Sequence, residues 1–450
     1  MNTKDYVIKV IDKIKTRDNN EPEFIQAVEE VYTSLIPVLE QRPDLIKDNI
    51  LERLSEPERM IIFKVPWVDD AGNIQVNRGF RVQFNSAIGP YKGGLRFAEN
   101  VNLSIVKFLA FEQIFKNSLT GLPIGGGKGG SDFSPLNKSD AEIKRFTQSF
   151  MLELSRHIGG DIDSPAGDIG VGAREIGYLF GHYKRIKNSY DAAGVTGKSV
   201  AISGSILRPE ATGYGIAYFA QEVLHEFNED IKGKTIAVSG FGNVCWGFCK
   251  KAAALGAKVV TLSSEHGYIY DPEGVNTEAK LNYLLKMRAD INGDLRDYAK
   301  EFNCEFFSNE KPWVRKVDLI VPCATQNELN LDDAKAIVNN KVKFVIEGSN
   351  MPITKEAMEY LKTHDVIVGP GKAANAGGVS VSALEMSQNV IRYSWTSEEV
   401  DQKLAGIMKN IYLSCKQAAQ EYGYGYDLVA GANISGFLRV AEAMKIQGDY

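Results

Sequence analysis

Histidine and cysteine are scarce in this 450-residue chain, and neither supports a metal site. Cys245 and Cys249 stand four apart, but none of the five histidines lies close to them in sequence, so a zinc reading lacks its remaining ligands. The five cysteines are odd in number and scattered, which reads as buried, reduced thiols and a cytoplasmic setting. No long apolar run is present, and the opening "MNTKDYVIKVIDKIKTRDNNEPEF" is too polar for a signal peptide; the expectation is no membrane span. A basic block is missing as well. With 52 basic against 57 acidic residues and a net charge of −5, nucleic acid and anionic membranes are excluded as main partners. Internal repeats and low-complexity segments are absent.

What is present is an ordinary globular composition, 44% hydrophobic and 24% charged, at a length that accommodates two domains or more. Tyr6, Val7, Val10, Ile11 and Ile14 form one apolar stripe, and amphipathic helical sequence continues to about residue 55. "RMIIFKVPW" and "IQVNRGFRVQFN" alternate around a turn at "DDAGN", which predicts a hairpin. Glycine-rich stretches, read as loops between helices, follow up to about residue 200. Thereafter short apolar strands ("KTIAVSGFGN", "AKVVTLSS", "VDLIVPCA", "VKFVIEGSN", "DVIVGPG") alternate with helical segments, the pattern of a parallel, doubly wound sheet. The domain boundary is placed near residue 202. After "NAGGVSVSALEMSQN" long helices return; Thr396 and Glu399 form a capping box before an apolar face of Val400, Leu404, Ile407, Met408 and Ile411.

Two segments carry chemistry. "TGLPIGGGKGGSDF" surrounds Lys128 with six glycines, yet it is no P-loop: the first glycine position is Leu122, and the residue after the lysine is Gly129 instead of a hydroxyl residue. Glycines on both sides admit unusual backbone angles and close approach of a ligand, which a merely solvated ammonium does not need. Lys92, Lys116 and Lys128, converging on one pocket, would make an anion site suited to a dicarboxylate. They would also depress one another's pKa, preparing a general base in a tight glycine loop. The second segment is Gly240-Phe241-Gly242-Asn243-Val244-Cys245, a G-x-G-x-x-G pattern whose third glycine is cysteine. It follows a strand, opens a helix and leads to a second strand, as dinucleotide binding requires. At the end of that second strand Ser264 is neutral toward a 2′-phosphate, Glu265 would repel it and His266 would attract it. The balance leans to NAD, with NADP or dual use open.

"PYKGGLRF", "LPIGGGKGGSDF", "PAGDIGVGAREIGY", "RPEATGYG", "GFGNV", "PCATQNE" and "NAGGVSVSALEMSQN", in this order, resemble the hexameric glutamate dehydrogenases of bacteria and protists, within the Glu/Leu/Phe/Val dehydrogenase family. The resemblance runs from about residue 55 to 440. It implies an α/β fold of two domains: a substrate-binding and oligomerisation domain with a mixed sheet at 1–202 and a Rossmann-type dinucleotide-binding domain at 203–425. A C-terminal helix at 426–450 would pack back on the first domain. Lys92 and Ser382 would hold the side-chain carboxylate of glutamate, and Gln113, Lys116 and the Gly167 backbone its α-carboxylate. Lys128 would activate water and Asp168 would shuttle protons at the amino group. Thr212, Gly240, Phe241, Gly242, Asn243, Ser264, Glu265, Ala324, Asn350 and Asn375 would line the dinucleotide, with Arg208 nearby in a role left open. The implied partners are L-glutamate, 2-oxoglutarate, ammonium and further copies of the chain in a homohexamer. Phe241 is similar to NAD-using clostridial members. Ala383, Ser349 and Ser164 depart from the commoner family residues. An amino acid dehydrogenase for branched-chain or aromatic substrates is the alternative, and those relatives lack the Lys92–Ser382 pair.

Overall fold

Why the first helix forms is visible at its N-terminus, where the Asn2 side chain accepts a hydrogen bond from the Asp5 N–H at 2.8 Å and all five stripe residues are buried. The computed structural model describes residues 2–287 and 293–448. Residue 1 and residues 449–450, in the first and last expected segments, lie outside the described residues, as do residues 288–292 in the second. Two compact units emerge, Met1–Ile206 with Val381–Val400 and Asn433–Tyr450, and Leu207–Ser380 with Asp401–Ala432. Relative to divisions at 202 and 425, the first unit takes in residues 381–400, which include Ser382.

The first unit contains a five-stranded sheet of β1 (Arg59–Val68), β2 (Ile74–Asn85), β3 (Tyr91–Phe97), β4 (Gly125–Ser131) and β5 (Asp163–Gly167), in the order β1-β2-β4-β3-β5. The predicted hairpin is present: β1 and β2 are antiparallel with Val68 opposite Ile74, and Gly72 takes a positive φ in the turn. β2 is also antiparallel to β4, whereas β3 runs parallel to both β4 and β5, so the sheet is mixed. Helix Leu103–Leu119 makes the crossover from β3 to β4. An aromatic core of Trp67, Phe97, Phe133, Phe146 and Phe150 also belongs to this unit, with Phe133 and Phe146 stacked at 3.7 Å.

The glycine-rich stretches are corrected here. "YKGGLRF", "GGGKGGS" and "DSPAG" are strands, and Lys128 lies in the middle of the sheet, not in a loop. None of Gly125, Gly126, Gly127, Gly129 and Gly130 has a positive φ. Their requirement is space. A Cβ on Gly126 would meet Ile114 Cγ1 of the crossover helix at 2.5 Å, and one on Gly130 would meet the Arg96 carbonyl at 2.2 Å. Alternation of apolar residues, the usual strand signal, is absent because neighbouring backbone fills those positions. Gly130→Ala is therefore expected to lower stability by about 3 kcal/mol, the upper end for overpacking, read as a shift in denaturant midpoint. An unchanged midpoint would contradict this packing account.

The second unit contains a parallel sheet in the order β13-β12-β11-β6-β7 and an antiparallel set in the order β10-β9-β8. Its strands are β6 (Thr235–Val238), β7 (Lys258–Val259), β8 (Thr261–Ser264), β9 (Gly267–Tyr270), β10 (Glu305–Ser308), β11 (Leu319–Val321), β12 (Phe344–Ile346) and β13 (Ile367–Gly369). The doubly wound expectation holds, with one difference. "AKVVTLSS" divides into β7 and β8 because the Thr261 hydroxyl enters the ladder, accepting from Val238 N at 2.8 Å and donating to Val238 O at 3.0 Å.

The Thr396–Glu399 capping box is formed in both directions and opens helix Ser397–Glu421. On its apolar face Val400, Leu404, Met408 and Ile411 are buried, while Ile407 is half-buried. Among the described residues no helix is long and apolar enough to cross a membrane, and no group of three His, Cys, Asp or Glu side chains could hold a metal ion.

Candidate active site

Within the first unit, three adjacent strands and the crossover helix bring the predicted substrate residues onto one piece of scaffold. Lys92 on β3 is fully buried; its Nζ donates to the Ser164 carbonyl of β5 at 2.8 Å and to Thr196 Oγ1 at 2.6 Å. Lys128 on β4 is also buried and stands 3.4 Å from Asp168 Oδ1, just past the end of β5 at Gly167. Gln113 and Lys116 are half-buried on the crossover helix, one turn apart. Ser382 is buried on helix Gly377–Ile391.

Three residues that sequence reasoning did not single out hold this arrangement. Asn117 donates to Lys92 O at 2.9 Å and Gly125 O at 2.6 Å and accepts from Gln113 Nε2 at 2.7 Å, so it ties the helix to β3 and β4. Arg96, on β3, donates from Nε to Asp168 Oδ2 at 2.7 Å. Arg81, fully buried on β2, pairs with Asp163 through Nε at 2.8 Å and donates to Gly93 O at 3.1 Å. The available signal for Arg96 and Arg81 was a basic residue inside an otherwise buried strand, which demands a partner.

The electrostatics separate Lys128 from an ordinary lysine. Burial pushes its pKa down; Asp168 opposes that shift, and the like charges of Arg96 and Arg81 add to it. Burial pushes Asp168 up, yet Lys128 and Arg96 outweigh burial and hold it at about 2. The result is a firmly ionised carboxylate beside an amine biased toward its neutral form.

In the second unit Gly240 ends β6 with φ +77°, a conformation that favours glycine, and its own added Cβ would lie 3.5 Å from Ala324. Gly242 is different: its φ is −76° and no protein atom lies within 4 Å of a Cβ placed there. Among the described residues no neighbour requires glycine at Gly242, whereas close approach of a ligand to the N-terminus of helix Asn243–Ala254 would. Asn375 donates to Gly348 O at 3.2 Å and Asn350 Oδ1 at 3.0 Å, while its buried Oδ1 has no partner among the described residues, as fits an acceptor for a ligand N–H or O–H. These residues fit a dinucleotide. Thr212 begins helix Ala211–Glu226, and a Cβ on Gly378 would strike its hydroxyl at 2.4 Å.

Cys245, standing for the third glycine, is buried, and the close contacts near it fall at two other glycines. Gly213 and Gly247 carry them: a Cβ on Gly213 would meet Phe248 N at 2.1 Å, and one on Gly247 would meet Glu210 O at 2.6 Å. At the end of β8 the Ser264 hydroxyl accepts from His266 N at 3.2 Å. Glu265 is 86% exposed and lies 3.6 Å from His266 Nε2.

Comparison with known proteins agrees with this layout. The sequence model described as "Glu/Leu/Phe/Val dehydrogenase, dimerisation domain" matches residues 57–185, and "Glutamate/Leucine/Phenylalanine/Valine dehydrogenase" matches residues 203–448. An NAD-specific glutamate dehydrogenase of Clostridium symbiosum is 57% identical over 98% of this chain and 99% of its own length. An NADP-specific glutamate dehydrogenase of Haemophilus influenzae is 54% identical over 97% of each. The crystal structure of Plasmodium falciparum glutamate dehydrogenase superposes with a TM-score of 0.97 at 51% identity, covering 100% of this chain and 96% of that one.

Proposed function

The chain belongs to the Glu/Leu/Phe/Val dehydrogenase family, and from that premise we propose that it is a glutamate dehydrogenase. L-Glutamate and water are converted reversibly to 2-oxoglutarate and ammonium. A nicotinamide dinucleotide would supply the acceptor for the hydride lost from the glutamate Cα. Thr212, Gly240, Phe241, Gly242, Asn243, Ala324, Asn350 and Asn375 would hold it, with Ser264 and Glu265 toward its ribose.

The remaining chemistry belongs to the first unit's residues. Lys92 and Ser382 grip the distal carboxylate; Gln113, Lys116 and the Gly167 backbone hold the α-carboxylate. Once the imine of 2-oxoglutarate exists, Lys128 takes a proton from water as the oxygen bonds to Cα. Asp168, ionised and 3.4 Å from that amine, relays the proton to the nitrogen; as the C–N bond breaks and ammonia leaves, the carbinolamine hydroxyl gives its proton to Lys128 and 2-oxoglutarate is formed. The observation that carries this reading is the contact of buried Lys128 with half-buried Asp168, in which burial holds the lysine below its usual pKa.

The pH dependence follows in sign. Only neutral Lys128 accepts a proton, so kcat/KM for glutamate oxidation rises with pH through the lysine's lowered pKa. Arg96→Met removes a like charge and frees Asp168 to favour the ammonium. Both effects raise that pKa, and the acid limb of the profile is expected to move to higher pH. A limb that stays in place would separate it from Lys128.

For the cofactor we propose NAD: Glu265 repels a 2′-phosphate and also offsets His266 at 3.6 Å. Initial rates with L-glutamate, with NAD and NADP in parallel, test this; comparable rates with NADP would overturn the preference. Turnover of leucine or valine without glutamate would favour the branched-chain alternative instead. The first unit, Met1–Ile206 with Val381–Val400 and Asn433–Tyr450, is assigned to substrate binding and oligomerisation, and the second, Leu207–Ser380 with Asp401–Ala432, to the dinucleotide. A homohexamer is proposed from the family, supported by β1, an edge strand, and by the exposed Met60, Ile62, Ile74 and Val76 of the β1–β2 hairpin. A cytoplasmic setting follows from the sparse, scattered cysteines.

A further inference from the structure

Beyond the residues assigned to substrate, the first unit contains a second buried lysine–carboxylate pair that the reaction does not use. Lys198 Nζ and Glu385 Oε1 lie 2.6 Å apart, and both side chains are entirely shielded from solvent. Glu385 is three residues beyond Ser382 on the same helix, Gly377–Ile391. Its second oxygen accepts from Gly197 N at 2.9 Å. Lys198 Nζ donates also to Ala192 O at 2.7 Å, to Val195 O and to Asn389 Oδ1 at 3.0 Å. Gln388 and Asn389, one turn further along the helix, reach the same segment through Ser205 Oγ at 2.8 Å and Ser203 O at 2.7 Å. Positions i, i+3 and i+4 share one helix face, so Glu385, Gln388 and Asn389 form a polar latch onto residues 197–205.

That segment is where Lys92 finds its hydroxyl partner. Thr196 Oγ1 accepts from Lys92 Nζ at 2.6 Å, and Thr196 N is held by Pro165 O at 2.9 Å. Glu385 grips the very next residue, Gly197. A fully buried ion pair is a poor source of stability compared with an apolar pair of the same volume, so its retention calls for a positional reason. One pair here fixes both the loop that orients the Lys92 ammonium and the helix that bears Ser382.

We propose that the buried Lys198–Glu385 pair is a positioning element for recognition of the substrate's distal carboxylate, setting Thr196 and the Ser382 helix in register with Lys92. The inference rests on the substrate reading given above. Neither residue touches substrate; both act through Gly197, Thr196 and the helix.

The test compares L-glutamate with L-norvaline, which keeps the α-amino acid but ends in a methyl where glutamate has its carboxylate. Glu385→Gln retains an acceptor for Gly197 N and removes the countercharge of Lys198. Its kcat/KM for glutamate is expected to fall by about 10–100-fold, chiefly through KM, as for a displaced positioning group. Norvaline turnover and the KM for NAD stay near wild type, so the glutamate-to-norvaline ratio collapses. A second variant, K198M/E385Q, buries no lone charge; its ratio is expected to stay low in protein whose cooperative melting shows that it is folded. Equal loss with both substrates, or a double variant with the wild-type ratio, would overturn the proposal. Wild-type enzyme that ignored glutamate would instead refute the functional reading itself.

Discussion

Lys128→Ala is expected to lower kcat for glutamate oxidation by about 10²–10⁴-fold, the range for removing a positioned general base. The fold should survive, because the substitution removes a buried ammonium and leaves Asp168 paired with Arg96 at 2.7 Å. Dinucleotide binding, supported by residues of the second unit, should be unchanged. Small primary amines added in solution should restore part of the rate, since alanine leaves space where the amine stood and the lost group is only a proton acceptor. Steady-state kinetics with and without methylamine would measure this. A kcat within tenfold of wild type would remove Lys128 from the mechanism. Lys128→Arg is expected to be equally poor, because a guanidinium stays protonated whatever its surroundings.

The second large effect is in substrate choice. Lys92→Met should reduce kcat/KM for glutamate by about 10²–10³-fold, the cost of truncating one partner of a buried, hydrogen-bonded charge pair. L-Norvaline, with no carboxylate to leave unpaired, should be turned over as well as before or better. The mutant should still fold, at a cost of about 1–3 kcal/mol because Ser164 O and Thr196 Oγ1 lose their donor. Parallel kcat/KM values for the two amino acids decide the matter. If glutamate and norvaline decline together, the buried ammonium serves the fold and the distal carboxylate is gripped elsewhere.

The legible parts of this molecule were those governed by periodicity. The five-residue stripe of the first helix, the β1–β2 hairpin and the alternation of strands and helices after residue 200 follow from spacing alone, and the structure contains them. β4 was illegible for a physical reason: a strand made of Gly-Gly-Gly-Lys-Gly-Gly-Ser offers no apolar alternation and looks like a loop. β7 and β8 were read as one strand because a hydroxyl that replaces a backbone partner leaves no trace in hydropathy. Lys128 stood out by its glycine setting, although those glycines serve close packing in a strand and not the unusual backbone angles expected of a loop. The partners were harder to read: a basic residue within a strand hinted at Arg96 and Arg81, whereas Asn117 and Lys198 are ordinary polar residues in sequence that only three-dimensional pairing distinguishes from solvated ones. Glu265 and Phe241 pointed to NAD, but relatives above half identity include both NAD- and NADP-specific enzymes.

The glycine strand has a consequence for variation. Nearly every position of β4 is pressed against backbone or a packed side chain, so amino acid replacement there is censored by folding before catalysis is ever consulted. In a library of all single substitutions scored by activity alone, Lys128 would vanish into a uniformly intolerant stretch. Scored for abundance as well, it would stand out as a position where the protein accumulates and the reaction stops, amid neighbours where both are lost together.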